Sequence, residues 1–438
     1  MLYRKIGKYI KNHFTQSNNK ILIIDGARQV GKSYIIRHVA TDMFKNYIEI
    51  DLLEDSLGNR NFANIRTIQD FYLQVSMIAG DKLEEKNNTI IFLDEIQVYP
   101  ELLTLLKFLK KDDKYTYVVS GSLLGVTLGK TSSIPMGSIE IVHMYPLDFE
   151  EFLYANGFNE FAIQNIRNNY KNLESLDVKT HDKFLDLFRK YLLVGGLPDA
   201  INEYLNNFNI VKVRQIQTEV HEFYAVDASK YDENNKLKIR RIYDMIPSVL
   251  ENKKKRIRYK DIEDIKGKRA NHYVDEFEYL INSGIAIDVN AISNPTFPLI
   301  ETSTKNLLKL YLNDVGILTN ILYKHNIRAI LDDVRSINLG TVYESVVAQE
   351  LKCHGKNLYY YDNKKNGEVD FLIDDYDNLS ILPIEVKSGK DYNIHSALNK
   401  MLSDQNYNVI KGIVLSNERT IKQVDNILYL PIYFVMFL

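Results

Sequence analysis

A single cysteine, Cys353, is all the thiol chemistry that 438 residues hold, so no disulfide can form within the chain and the composition fits a reducing cytoplasm. No apolar run approaches the roughly 20 residues of a membrane-spanning helix. The most apolar stretch, YLPIYFVMFL at the C-terminus, is about half that long, is interrupted by Pro431 and reads as a buried strand. The N-terminal MLYRKIGKYIKNHF is basic and amphipathic, without the uninterrupted apolar core of a signal peptide. No membrane partner is expected. A net charge of -2 gives no global field for nucleic acid, so any such surface must be local. Internal repeats and Gly/Ser-rich or Pro-rich linkers are also missing. What remains is ordinary for a globular protein, 45% hydrophobic and 26% charged, and long enough for two to four domains.

Against that background one stretch stands out. Ile21–Ser33, ILIIDGARQVGKS, places four apolar residues and an Asp before Gly26, then Ala27, Arg28, Gln29, Val30, Gly31, Lys32 and Ser33. This is G-x-x-x-x-G-K-[ST] between a short buried-strand signal and a helical run, YIIRHVATDMF. Gly26 and Gly31 permit the backbone turns that point successive N–H groups inward around phosphate oxygens, and the helix adds its positive end. Lys32 then reaches the β- and γ-phosphates of ATP, and the Ser33 hydroxyl ligates Mg²⁺.

Two strand ends extend the site. NNTIIFLDEIQVYP (87 to 100) reads as a buried strand ending in Asp94 and Glu95. At the carboxyl end of a parallel strand Asp94 would hold Mg²⁺ and Glu95 would orient the attacking water. YTYVVSG (115 to 121) is a further buried strand whose Ser120, or Ser122 just beyond, either touches the γ-phosphate or water, or simply forms a turn. NYIEIDLLED (46 to 55) alternates as another strand, and the succession of strands and helices predicts a parallel α/β sheet covered on both faces.

The order GARQVGKS, FLDEIQ, SGS, PLDFEEF at 146 to 152 and GGLP at 195 to 198 resembles a family of bacterial and archaeal AAA-type ATPases. Their C-terminal half is a domain of unknown function similar to restriction-endonuclease-like nucleases. The resemblance implies a helical lid whose small-residue-Pro turn, here Gly196 and Pro198, packs near the nucleotide base. The chain departs from it at Ser138, where the family often has Arg or Lys, so no cis basic trigger is nominated.

The expected organisation is a P-loop AAA-type core over 1–147, a helical lid over 148–231, a winged-helix segment over 232–299 and a restriction-endonuclease-like α/β domain over 300–438. The lid segment also reads as a plain helical bundle. In the third segment helix, short helix, longer helix and strand follow in the order of a winged helix-turn-helix. Between Glu251 and Ala270 lie nine Lys/Arg and four Asp/Glu. DNA is the expected partner of this 253–269 stretch: Lys253, Lys254, Lys255, Arg256 and Arg258 would meet phosphates, and Lys266, Lys268 and Arg269 precede the candidate recognition helix. A solvated basic turn is the competing reading.

In the last segment Glu344 on a helix, Asp370 on one strand and Glu385-x-Lys387 on the next resemble the PD-(D/E)xK nuclease core. That resemblance implies Mg²⁺ on Asp370 and Glu385, aided by Glu344 and the Val386 carbonyl, with Lys387 activating water. Three functions compete: an ATPase whose cycle controls a nucleic-acid-interacting C-terminal half, an ATP-gated Mg²⁺-dependent DNase, and a nucleotide-switched DNA-binding or adaptor protein. The sequence leaves homo-oligomerisation open.

Overall fold

The computed structural model describes residues 2–16, 20–122, 137–230, 236–252, 255–257, 262–263, 272–331, 339–389 and 392–438. The chain divides into two compact units, one of Met1–Tyr145 with Asn282–Gly284, the other of Pro146–Ile281 with Ile285–Leu438. Among the described residues, no helix is long and apolar enough to cross a membrane.

In the first unit, strands β1 (Ile21–Asp25), β2 (Asn46–Asp51), β3 (Thr89–Asp94), β4 (Thr116–Gly121) and β5 (Ile139–His143) form a parallel sheet in the order β2-β3-β4-β1-β5. Every residue of β1 and β3 is buried, as near-continuous apolar strands covered on both faces must be. β2 and β5 lie at the edges and are less buried: β2 buries Ile48 and Ile50, and β5 only Ile139. Strand β5, whose IEIVH mixes charge with apolar residues, was not expected from the sequence. Ile24 pairs with Ser120 and Asp25 with both Gly121 and His143, so β1, β4 and β5 finish at one level. Leu93 pairs with Val119, which brings the end of β3 to the same edge. The chain leaves β1 for the far edge strand β2, making β1 the switch point where open α/β sheets bind ligands.

The second unit mixes helices with an eight-stranded sheet of β6 (Ala286–Ile292), β7 (Ser303–Leu312), β8 (Tyr359–Asn363), β9 (Gly367–Asp375), β10 (Ser380–Lys387), β11 (Gly412–Ser416), β12 (Lys422–Val424) and β13 (Ile427–Pro431). Their order is β12-β13-β11-β10-β9-β8-β6-β7. The expected boundaries at 231/232 and 299/300 both fall inside this unit. β6 pairs antiparallel with β7 and parallel with β8, so the strand expected to close a winged helix is part of the C-terminal sheet.

The helices are tied to that part as well. Buried Asp314 caps the helix Val315–Tyr323 by accepting from Ile317 N at 3.0 Å, and also accepts from Gly196 N at 2.6 Å. Arg214 Nη1 donates to the carbonyls of Leu193 (3.2 Å) and Gly316 (3.1 Å) and to Thr319 Oγ1 (3.0 Å). Burial pushes the Asp314 carboxyl up to about 6, against the pull of its backbone donors. The apolar C-terminus is strand only as far as Pro431; Ile432–Phe437 is a 3₁₀ helix, since Pro431 has no N–H to continue a ladder.

Candidate functional site

The P-loop closes on its own lysine. After Asp25 the chain turns at Gly26, with φ 145°, and a Cβ there would run into the Met144 carbonyl. Gln29 and Gly31 are also left-handed, at φ 63° and 93°, and Gly31 opens the helix Lys32–Met43. That helix has no side-chain cap and no acid in its first turn. Its leading amides are therefore left to whatever anion lies before them, in contrast to the helix Ile68–Ala79, which Thr67 and Asp70 close with a capping box.

Lys32 is buried and donates to the carbonyls of Gly26 at 2.9 Å and Ala27 at 2.8 Å. Burial pulls its ammonium below the usual lysine range, opposed by the charges of Glu95, Asp25 and Asp94. Arg4, absent from the sequence expectations, fixes the loop from outside: its guanidinium donates to Val30 O at 2.8 Å and Tyr145 O at 2.6 Å. Nothing local marks it, since Tyr145 lies 141 positions away.

At the neighbouring strand ends, Asp94 accepts from the Ser33 and Ser120 hydroxyls and from Glu95 N at 3.1 Å. Burial raises its carboxyl above the usual range, countered by the two serines. The P-loop serine and the acid closing β3 are thus in contact, and both offer the hard oxygens that suit Mg²⁺. Ser120 touches Asp94, so it does more than form a turn. Glu95 takes a left-handed φ of 58°, sparsely populated for a side-chain-bearing residue. It is met by Gln97 Nε2, by Ser122 Oγ at 3.3 Å and by Arg28 Nη2 at 3.8 Å. Gln97 is a second residue the sequence did not nominate; its spacing of two from Glu95 on a tight turn was the available signal. Ser138 accepts from Ile21 N at the amino end of the sheet, about 16 Å of strand away from the loop. A basic residue at that position would not reach the phosphates, so the departure from the family pattern leaves this site untouched.

Gly196 and Pro198, expected near the base, belong to the second unit. Both backbone polar atoms of Gly196 are engaged there, the N–H by Asp314 and the C=O by Leu147 N at 2.8 Å. A Cβ on Gly196 would strike the Leu147 backbone, which accounts for the glycine without a ligand.

The C-terminal residues converge. Lys255, Asp370, Glu385 and Lys387 line one cavity of about 320 Å³, with Gly367, Glu368 and His395 on its walls. Asp370 accepts from Val386 N at 2.9 Å and hydrogen-bonds Glu385; Lys387 Nζ lies 3.4 Å from Glu385. Glu344, on the helix Gly340–Cys353, receives Lys255 Nζ and, at 3.4 Å, the Tyr311 hydroxyl. Burial and the neighbouring Asp370 charge raise the carboxyls of both Glu344 and Glu385. The oxygen donors have the right chemistry for Mg²⁺, yet Glu344 and Glu385 already have cations of the chain's own. Among the described residues, no group of three or more His, Cys, Asp and Glu side chains has metal-holding geometry.

The basic stretch needs correction where it is described. Lys255 and Arg256 do not face outward to phosphates: Lys255 pairs with Glu344, while Arg256 pairs with Asp362 and lies 5.2 Å from the Tyr360 ring centre. Glu344 is buried and needs an internal cation, which Lys255 supplies, while Arg256 pairs with the part-exposed Asp362. The helix Val274–Asn282, the candidate for groove recognition, carries Asp275, Glu276 and Glu278 and no Lys or Arg. Lys253, Lys254, Arg258, Lys266, Lys268 and Arg269 lie outside the described residues.

Comparison with known proteins agrees with the first unit. Residues 18–153 match the family described as AAA domain, 185–327 match a domain of unknown function (DUF8612) and 339–435 another (DUF4143). An uncharacterized protein of Methanocaldococcus jannaschii is 25% identical over 364 residues, which are 81% of this chain and 72% of that protein. One of Haemophilus influenzae is 24% identical over 188 residues, 41% of this chain and 40% of that protein. Among solved structures, the Walker-type ATPase of Pyrococcus abyssi covers 73% of this chain and 95% of its own at 14% identity and a TM-score of 0.45. The Aeropyrum pernix ORC1 protein in complex with DNA covers 75% and 94% at 12% identity and a TM-score of 0.33. Residues 18–153 of the N-terminal unit are thus similar to an AAA domain.

Proposed function

We propose that this chain is a Mg²⁺-dependent ATPase whose nucleotide cycle controls the C-terminal half. The observation that carries the reading is the meeting of Lys32, Ser33, Asp94 and Ser120 at the carboxyl ends of β1, β3 and β4. Mg²⁺, held through Ser33 and Asp94, would supply charge neutralisation on the phosphate oxygens.

The loop amides and the uncapped helix start take up the triphosphate. Lys32 exchanges two carbonyl acceptors for phosphate oxygens, a stronger, charge-assisted bond for an ammonium already stripped of water. Glu95, held by Gln97, Ser122 and Arg28 beside this loop, orients the water for in-line attack. The test is phosphate release from ATP by the purified chain with and without Mg²⁺. The reading expects turnover only with the metal and none in Lys32→Ala; turnover that persists in that variant overturns it.

A second reading is supported by the shared cavity of Asp370, Glu385 and Lys387: an endonuclease-like core that acts on phosphodiesters. It expects cleavage of plasmid or single-stranded DNA that Asp370→Ala and Lys387→Ala each remove. Intact strands under every nucleotide and metal tried would leave the ATPase reading standing alone.

A further inference from the structure

Both ends of the nucleotide loop are held on one short run of chain, residues 143–145, at and just beyond the end of β5. At the start of the loop Met144 N donates to Asp25 O at 2.7 Å, and His143 Nδ1 lies 3.3 Å from Asp25 Oδ2. The Met144 carbonyl also leaves no room for a Cβ on Gly26. At the other end a side chain makes the connection: Arg4 donates through Nη1 to the Val30 carbonyl and through Nη2 to the Tyr145 carbonyl. Arg4 is placed by the helix it opens, Lys5–Thr15. Gly7 of that helix packs close on the helix Lys32–Met43, where an added Cβ would sit 3.2 Å from the Ile35 side chain. All of this lies in the first unit.

A trans peptide sets its C=O and N–H in opposite directions. With the Val30 carbonyl drawn to the guanidinium, the Gly31 N–H is turned away from Arg4. Gly31 itself, at φ 93°, tolerates either orientation of that peptide, so the residue alone does not prevent a flip. Flipped, the peptide would present an oxygen where a phosphate needs a donor. Lys32 does not supply the restraint, since its bonds go to the carbonyls of Gly26 and Ala27 and are the ones given up to phosphate. We infer that Arg4 is a positioning residue for the triphosphate: it fixes the peptide between Val30 and Gly31 with the N–H toward the phosphates, acting through the backbone rather than on the nucleotide. The inference rests on the ATP-binding reading and adds to it a residue from outside the loop. A merely structural arginine would stabilise the unit and leave ATP affinity unaltered when replaced.

The experiment compares wild type, Arg4→Met and Tyr72→Phe in three measurements. These are calorimetric titration of ATP with Mg²⁺, phosphate release at saturating ATP, and hydrogen exchange of residues 26–33 in the nucleotide-free chain. Arg4→Met is expected to bind ATP roughly 10- to 100-fold more weakly, as loss of charge-assisted bonds that orient the loop requires. Its turnover at saturating ATP should stay within about threefold of wild type, because bound triphosphate selects the correct peptide orientation. Before nucleotide is added its loop amides should exchange faster, while those of β3 keep the wild-type rate. Tyr72→Phe loses hydrogen bonds to Asp112 and Tyr117 in the same unit and reads general loosening; it should match wild type throughout. Arg4→Lys keeps the charge but not the planar fork that serves two carbonyls at once. It should weaken ATP binding about threefold or more, and it carries the test if the methionine variant does not melt cooperatively. Wild-type affinity in the folded variants, unchanged exchange at 26–33, or an equal fall in Tyr72→Phe overturns this inference and leaves the ATPase reading intact. A wild type that binds no ATP ends both.

Discussion

Two lysines, each largely shielded from water and each among carboxylates, are used in opposite ways. Lys32 is bonded to two main-chain carbonyls, while Asp94 beside it is satisfied by serine hydroxyls. Lys255 is bonded to Glu344 itself. In the first arrangement cation and anion are near but unspent, so a phosphate and a metal can each take one of them. In the second they cancel. What a polar cluster can bind depends less on which residues it holds than on which of their charges are already used.

The sharpest way to break this contrast is Glu95→Gln. It keeps shape and removes the carboxylate proposed to orient the attacking water, so ATP affinity should stay within about threefold while turnover falls roughly 100- to 1,000-fold. Isothermal titration and phosphate release together read it; equal loss of both would mean Glu95 serves binding. Next comes Asp314→Ala, which strips the cap from Val315–Tyr323 and the acceptor from Gly196 N–H. It should destabilise the second unit by about 2–4 kcal/mol in urea unfolding and leave ATP binding intact.

A pH series probes the self-cancelled site. Glu385 and Glu344 have folded-state carboxyls raised above their unfolded values, so both are penalised wherever both states are ionised. The penalty fades as pH falls toward the unfolded value, so the second unit should gain stability from pH 8 down to about 5. Glu385→Gln should flatten that slope and raise the melting temperature at pH 8. A slope unchanged by the substitution would show that other groups dominate. The smallest effect is expected for Arg256→Ala, which loses a partly buried pair with Asp362 and a ring contact. About 1–2 kcal/mol of stability should go, and affinity for DNA at low salt should not change. A clear fall in DNA affinity would restore the phosphate-contact reading of Arg256.

What could be read from the sequence was contiguous or periodic. Gly26 to Ser33 is one short loop, Asp94 and Glu95 close an unbroken apolar strand, and Ser120 ends another; each reports its structure within a few residues. Glu385 and Lys387 share a face because strand neighbours two apart do, while Asp370, on the preceding strand, was grouped with them only through the resemblance to a nuclease core. The rest depended on pairs that only the folded chain brings together. Arg4 meets Tyr145, Lys255 meets Glu344, and β6 joins the C-terminal sheet across a boundary that composition and helix order alone suggested. A run of lysines and arginines looks the same whether it faces solvent phosphates or the chain's own acids.

The most direct measurement is a calorimetric titration of ATP with Mg²⁺ into the full chain and into Lys32→Ala, each first shown to melt cooperatively. The account predicts saturable binding near one ATP per chain for the wild type and no binding for the variant. No heat at millimolar ATP, or equal binding by both proteins, would contradict it.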